Sequence, residues 1–357
     1  MNMSKLEKLR ATFDEQGIDA IIIFSDINRT YLTDFTGTEG IVLVTKEDAF
    51  LFVDSRYTIQ AKDQVTTFTV EEYSRQHTAA TINGKLEAAN VKKLGFEAHQ
   101  LTYAQYQNYS TQFNAELVPV GTIVENIRLI KTEDEVEKIR KACAISDAAF
   151  EHILNFIQPG MTEIQIANEL EAKMKDLGST RPAFDTISAS GERSALPHGF
   201  PSNRKLQEGD FFTLDFGAVY EGYLSDMTRT VAIGEVSDQL KEIYDVVSKA
   251  LEAGLQQIKA GMTGEEVDAI TRDIITEAGY GDYFGHSTGH GVGMYIHEGI
   301  ALAKGSKSVV QPGMILTIEP GIYLPGVGGV RIEDDVYIKE DGSIEILTHA
   351  PKQLIHI

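Results

Sequence analysis

Two aspartates, Asp215 and Asp226, lie in the otherwise apolar segment FFTLDFGAVYEGYLSDMTRTVAIG, residues 211–234. Its Phe, Leu, Thr, Val and Ile content predicts two β-strands, joined through the turn-prone Tyr220-Glu221-Gly222. Folding about the Tyr220–Glu221 midpoint sets Asp215 opposite Asp226, with Cβ atoms about 4.5–5.5 Å apart. Like charges so placed repel, and inside an apolar hairpin they call for a cation between them. For this pair taken alone, two solvated acids on an exposed face are an equal reading. A second segment, ILTIEPGIYLPGVGGVRIEDDVYI at residues 315–338, shifts that balance. Folded about Gly326, it sets Glu319 opposite Glu333, flanked by Ile318, Val330 and Ile332. Pro320 suits a bulge or a strand edge just after Glu319. Asp334 and Asp335 compete with Glu333 for the inward position.

Between the hairpins runs HSTGHGVGMYIHE, which holds His286, His290 and His297, three of the chain's nine histidines. Gly289, Gly291 and Gly293 would let the backbone approach a ligand closely. His198 sits in the Pro/Gly-rich SALPHGFPS, whereas His77, His99, His152, His349 and His356 have no comparable setting. Four carboxylates and one imidazole form an oxygen-rich, sulfur-free donor set that suits Mn²⁺ or Co²⁺ better than a thiolate zinc site. Four carboxylates on one ion would be an excess of charge. Two ions bridged by carboxylates and a hydroxide, about 3.5–4 Å apart, balance it.

The elements that must position these residues are legible more coarsely. A chain of 357 residues, 42% hydrophobic and 24% charged, has room for two domains. A formal net charge of −21 argues against nucleic-acid and anionic-membrane partners. Cys143 is the single cysteine, which excludes an internal disulfide and points to a reducing, cytoplasmic setting. MNMSKLEKLR lacks the apolar core of a signal peptide, and no run reaches the ~18 apolar residues of a membrane span. The first part alternates predicted helices (3–17, 55–62 capped by Ser55, 77–89, 102–113) with predicted strands (19–24, 41–45, 49–53, 66–70, 93–97). This predicts a small helix-covered sheet ending near Thr122. It has no phosphate-binding glycine motif. The boundary is expected in residues 124–131, giving domains 1–125 and 126–357. A charged helix, 132–156, follows with a Thr132/Glu135 capping box. The second domain contains an echo: Gly-Met-Thr at 160–162 recurs at 261–263, each time between two helices and ahead of a hairpin. A duplicated α/β unit would set two hairpins side by side, helices outside and a cleft between the halves.

The motif set LDFG…SDMTRT, HSTGHGVG…HE, TIEPGIY and VRIEDD, with the lead-in IRLIKTEDEVEKIRKA, resembles the pita-bread metallopeptidases, most closely their Xaa-Pro aminopeptidase and prolidase branch. The resemblance covers essentially the whole chain. It implies a mixed α/β (α+β) fold: a creatinase-like N-terminal domain followed by a pita-bread (duplicated α/β) catalytic domain. The family's two divalent ions would fall on Asp215, Asp226, His290, Glu319 and Glu333. His198, His286 and His297 match its substrate-binding and proton-shuttling histidines, and Arg331 matches an arginine that braces the ligands. The implied reaction is hydrolysis of the amino-terminal Xaa–Pro bond of dipeptides or short peptides through a metal-bridged hydroxide, with Glu319 as proton acceptor. Mn²⁺ is the expected metal, with Co²⁺ or Zn²⁺ as alternatives, and a homodimer is the expected assembly. Three other readings share the fold. Methionine aminopeptidases have the same ligand set but lack so large an N-terminal domain. Creatinase works without metal, and its branch has lost ligands kept here. The third is an inactive peptide-binding module.

Overall fold

The computed structural model describes residues 3–74 and 76–357 and divides the chain into two compact units, Met1–Arg128 and Leu129–Ile357. The first unit is a six-stranded sheet in the order Thr69–Glu72, Ala49–Val53, Ile41–Thr45, Ala20–Ile23, Lys93–Glu97, Glu116–Val120. Ile22, Leu43, Phe52 and Leu94 pack there against Ile82 and Leu86 of helix Thr78–Ala88.

Three local expectations need correction. Residues 3–17 form two helices, Lys5–Arg10 and Phe13–Gln16, because the Thr12 hydroxyl donates back to the Leu9 carbonyl and competes with the helical ladder. Ser55 is not a cap: the Asp54 carbonyl accepts from Tyr57 N in a turn, so the helix is Thr58–Gln64. The strand expected at 66–70 lies at Thr69–Glu72. The division after Arg128 falls inside the expected 124–131, near the end of helix Ile123–Leu129. Helix Asp26–Thr33 and strand Glu116–Val120 complete the unit; Pro119 is tolerated because that strand is an edge.

The second unit is built twice from one plan. Helices Glu133–Phe156 and Glu163–Asp176 recur as Asp238–Gln257 and Gly264–Glu277. The second helix of each pair has 14 residues and a capping box, Thr162 with Gln165 and Thr263 with Glu266. Each pair backs a sheet. The first sheet runs Met227–Ala232, Phe211–Phe216, Ile187–Ser190. The second runs Glu298–Leu302, Gly289–Gly291, Ile315–Ile318, Asp334–Ile338, Ile344–Ile346.

Strand alternation sorts the side chains. Phe212, Leu214 and Phe216 pack on Phe150, Ile153, Ile166 and Leu170. Thr213 and Asp215 therefore turn to the other face. In the second repeat, Leu316, Ile318, Val336 and Ile338 join Ile243, Val247, Leu251 and Val267 in one core. The two hairpins meet where Glu333 N donates to the Thr228 carbonyl (3.1 Å) and Thr230 Oγ1 to the Arg331 carbonyl (3.0 Å).

The register of the first hairpin differs from expectation. Asp215 pairs with Thr228, not Asp226, because Tyr220 pairs with Tyr223 and the loop is Glu221-Gly222. Both loop residues are left-handed, φ 47° and 84°, as a two-residue hairpin of the right twist requires. Asp226 thus lies one residue ahead of its strand. In the second hairpin, Ile318 pairs with Asp334 and Gly321 with Arg331. Glu319 and Glu333 accordingly face each other in the gap that Pro320 opens in the ladder.

Candidate active site

All nine residues singled out above (His198, Asp215, Asp226, His286, His290, His297, Glu319, Arg331 and Glu333) line one cavity of about 760 Å³. Asp226, His290 and Glu333 converge until their ligand atoms lie within 4.8 Å of one another. His290 Nε2 is 3.6 Å from Asp226 Oδ2 and 3.5 Å from Glu319 Oε1. Its Nδ1 faces the Gly291 carbonyl at 3.2 Å, which assigns the proton to Nδ1 and leaves the Nε2 lone pair toward the acids.

Asp334 and Asp335 are engaged elsewhere. Asp334 accepts from Arg229 (2.8 Å) and Thr348 (2.8 Å), and Asp335 accepts from Asp226 N (2.8 Å) and the Cys143 thiol. Glu333 therefore provides the inward carboxylate.

The charge balance of the cavity is distorted in one direction. Burial, then the neighbouring Glu333 and Asp215, push the Asp226 carboxyl well above its ordinary value. Burial, then Glu319 and Asp215, do the same to Glu333. Burial raises Glu319 to about 8 although Arg331 opposes it. Burial also lowers His286 and His290 to about 4, so both imidazoles are neutral at physiological pH. Asp215 pairs with Arg331 through Oδ2, while its buried Oδ1 has no hydrogen-bond partner. Crowded buried acids, an orphaned carboxylate oxygen and a neutral imidazole with a free lone pair are the donors a divalent cation requires. The residues fit such an ion.

Two bridging residues escaped the sequence reading. Thr228 donates to Glu333 Oε2 (2.6 Å) and accepts from Arg331 Nε (3.1 Å). The Tyr323 hydroxyl accepts from Arg331 (2.7 Å) and donates to His286 Nε2 (2.7 Å). His286 Nδ1 in turn donates to the Ser287 carbonyl at 2.8 Å. Folding the second hairpin about Gly326 would have revealed Tyr323, since it sits diagonally across from Arg331. Thr228 would have emerged from a turn placed one residue later.

Two helix-backed hairpins closing over an acidic, histidine-lined cavity define an α/β protein of duplicated design whose donors fit a divalent cation. Comparison with known proteins makes the class specific. Residues 5–130 match the Creatinase/Prolidase N-terminal domain, and residues 137–340 match Metallopeptidase family M24. The chain belongs to that metallopeptidase family. It is 50% identical to an Xaa-Pro dipeptidase from Bacillus anthracis, whose solved structure superposes with a TM-score of 0.96 over 99% of each chain. The solved X-Pro aminopeptidase from Thermotoga maritima is 39% identical, with a TM-score of 0.91 over 97% of this chain and 100% of that one. An Xaa-Pro dipeptidase from Pyrococcus furiosus is also 39% identical, over 98% of this chain and 99% of its own length.

Proposed function

We propose that this protein is a metal-dependent exopeptidase that hydrolyses the amino-terminal Xaa–Pro bond of dipeptides or short peptides. The observation that carries the reading is the convergence of Asp226, His290 and Glu333, with Glu319 3.5 Å from His290, in a cavity walled by three further histidines. The names of the relatives, two Xaa-Pro dipeptidases and an X-Pro aminopeptidase, support the substrate class. Phe184, Ile187, Phe200 and Ile296 supply apolar walls suited to a pyrrolidine ring.

Asp215, Asp226, His290, Glu319 and Glu333 are proposed to hold two divalent ions. When bound, such ions supply Lewis acidity and bring the pKa of a coordinated water to about 7. Glu319 would accept a proton from the attacking water and return it to the leaving proline nitrogen. His297 and His198 hydrogen-bond the scissile carbonyl oxygen or the proline side, where charge develops. Arg331, held by Tyr323 and Thr228, orients Asp215, and neutral His286 anchors Tyr323.

Manganese in preference to cobalt or zinc, a homodimeric assembly and a cytoplasmic setting belong to the same proposal and rest on the family resemblance and composition. Among the described residues, no helix is long and apolar enough to cross a membrane. The test is metal analysis together with turnover of Ala-Pro and of a longer Xaa-Pro-Yaa peptide by the parent and by Glu319→Ala. Loss of turnover in the variant supports the reading. Xaa–Pro cleavage that survives in metal-free protein ends it.

A further inference from the structure

We infer that Lys131 and Glu298, which lie outside the ligand set, are a positioning pair that fixes His297 in the cavity. The inference rests on the proposed role of His297 toward the substrate. His297 ends the glycine-rich loop that begins after His290, and its ring sits 4.4 Å from that of His290, edge to face. Val292, Met294 and Ile296 pack on one side of the loop, while Tyr295 at its tip is 50% exposed.

The Glu298 carboxylate fills the inside of this loop. Oε1 accepts from Met294 N (2.9 Å) and Tyr295 N (3.2 Å), and Oε2 accepts from Lys131 Nζ (3.0 Å). A Cβ at Gly293 would collide with that carboxylate, so only glycine lets it in. Lys131 is held in turn: its N donates to the Gly313 carbonyl (2.8 Å) and its Nζ also reaches the Leu129 carbonyl (3.3 Å).

Both side chains are almost completely buried, 2% and 4% exposed. A buried ion pair is a poor source of stability, because an apolar pair of similar volume does as well or better. What it supplies here is one geometry. The carboxylate ties down two half-buried loop N–H groups, and the ammonium holds the carboxylate. The residue directly before Glu298 is then delivered to the cavity at a set place. Reactions that depend on near-attack placement lose about 100-fold for roughly 1 Å of displacement.

The test is a double-mutant cycle on kcat/KM for Ala-Pro with the metal-loaded protein, using Glu298→Gln, His297→Ala and the double variant. Metal content is measured for each. The expected result is a loss of at least about 30-fold in each single variant. The double variant is expected to be no worse than His297→Ala, since the same contribution is removed twice. Lys131→Met should follow Glu298→Gln, and Lys131→Arg, which keeps the charge, should recover part of the loss. All are expected to retain parental metal content. Losses that multiply, or a fall in metal content that accounts for the loss, overturn the inference and leave the proposed function intact. A parent protein that cleaves no Xaa-Pro peptide overturns both. If Glu298→Gln does not fold, the Lys131→Met and His297→Ala pair completes the cycle in its place.

Discussion

Stripping divalent cations with EDTA is expected to make the protein lose stability as pH rises from 6.5 to 8, the reverse of ordinary acid denaturation. Glu319 has a folded pKa of about 8 against 4.5 in the open chain. Its proton therefore stabilises the folded state fully below pH 4.5, and that contribution is lost as pH climbs through 8. His286 and His290, lowered from 6.5 to about 4, act in the opposite sense. Their contribution is present above 6.5 and lost as pH falls through 4, so it offsets the glutamate between 4.5 and 6.5 and is flat above. Over the remaining window one linked proton changes stability by about 1.4 kcal/mol per pH unit, or about 2 kcal/mol in all. Asp226 and Glu333, also raised, act in the same direction as Glu319. For a unit of this size that is a fall of about 4–8 °C in Tm. Differential scanning calorimetry at pH 6.5, 7.2 and 8, with EDTA and with Mn²⁺, measures it. Bound cations replace the protons and should abolish the slope. A metal-free Tm that is level or rising across the window refutes the account of the cavity as an uncompensated cluster of acids.

Arg229 is fully buried and donates to Asp334, to the Glu333 carbonyl and to the Ala350 carbonyl. Arg229→Met should cost about 2–3 kcal/mol in urea unfolding, by leaving the Glu333 and Ala350 carbonyls without their donor and Asp334 with Lys352 as its remaining cation; a change under about 1 kcal/mol contradicts it. Gly222 occupies a left-handed position at φ 84°. Gly222→Ala should lower stability by about 1–2 kcal/mol by thermal melting, with metal content retained.

The carboxylates could be read from the chain because hairpins are local objects, whereas the roles expected of the histidines came from the family resemblance. An apolar run with period two, a turn and an acid on the inward phase are enough to set two side chains on one face. The first turn misled by a single position, since Glu221 takes the left-handed conformation that glycine normally marks, and every pairing shifted with it. Thr228 was lost from view for that reason. Helix Asp26–Thr33 was missed because Asn28, Arg29 and Thr33 share its buried face with Tyr31 and Leu32: Arg29 is 1% exposed and donates to the Gly37 and Gly40 carbonyls, contacts that no periodicity announces. The Lys131–Glu298 pair spans 167 residues, so no spacing rule finds it. The neutrality of His286 and His290 is likewise a property of what surrounds them in space.

The repeat also sets an order of events during synthesis. Asp215 and Asp226 come from the first copy, whereas His290, Glu319 and Glu333 emerge only with the second. A nascent chain paused between the two offers passing ions a pair of aspartates and nothing more. On the proposed ligand set, firm chelation would wait until the later copy has left the ribosome and docked. Ion uptake would then be a final seal on a finished unit, and half-made chains would be spared capture by metal.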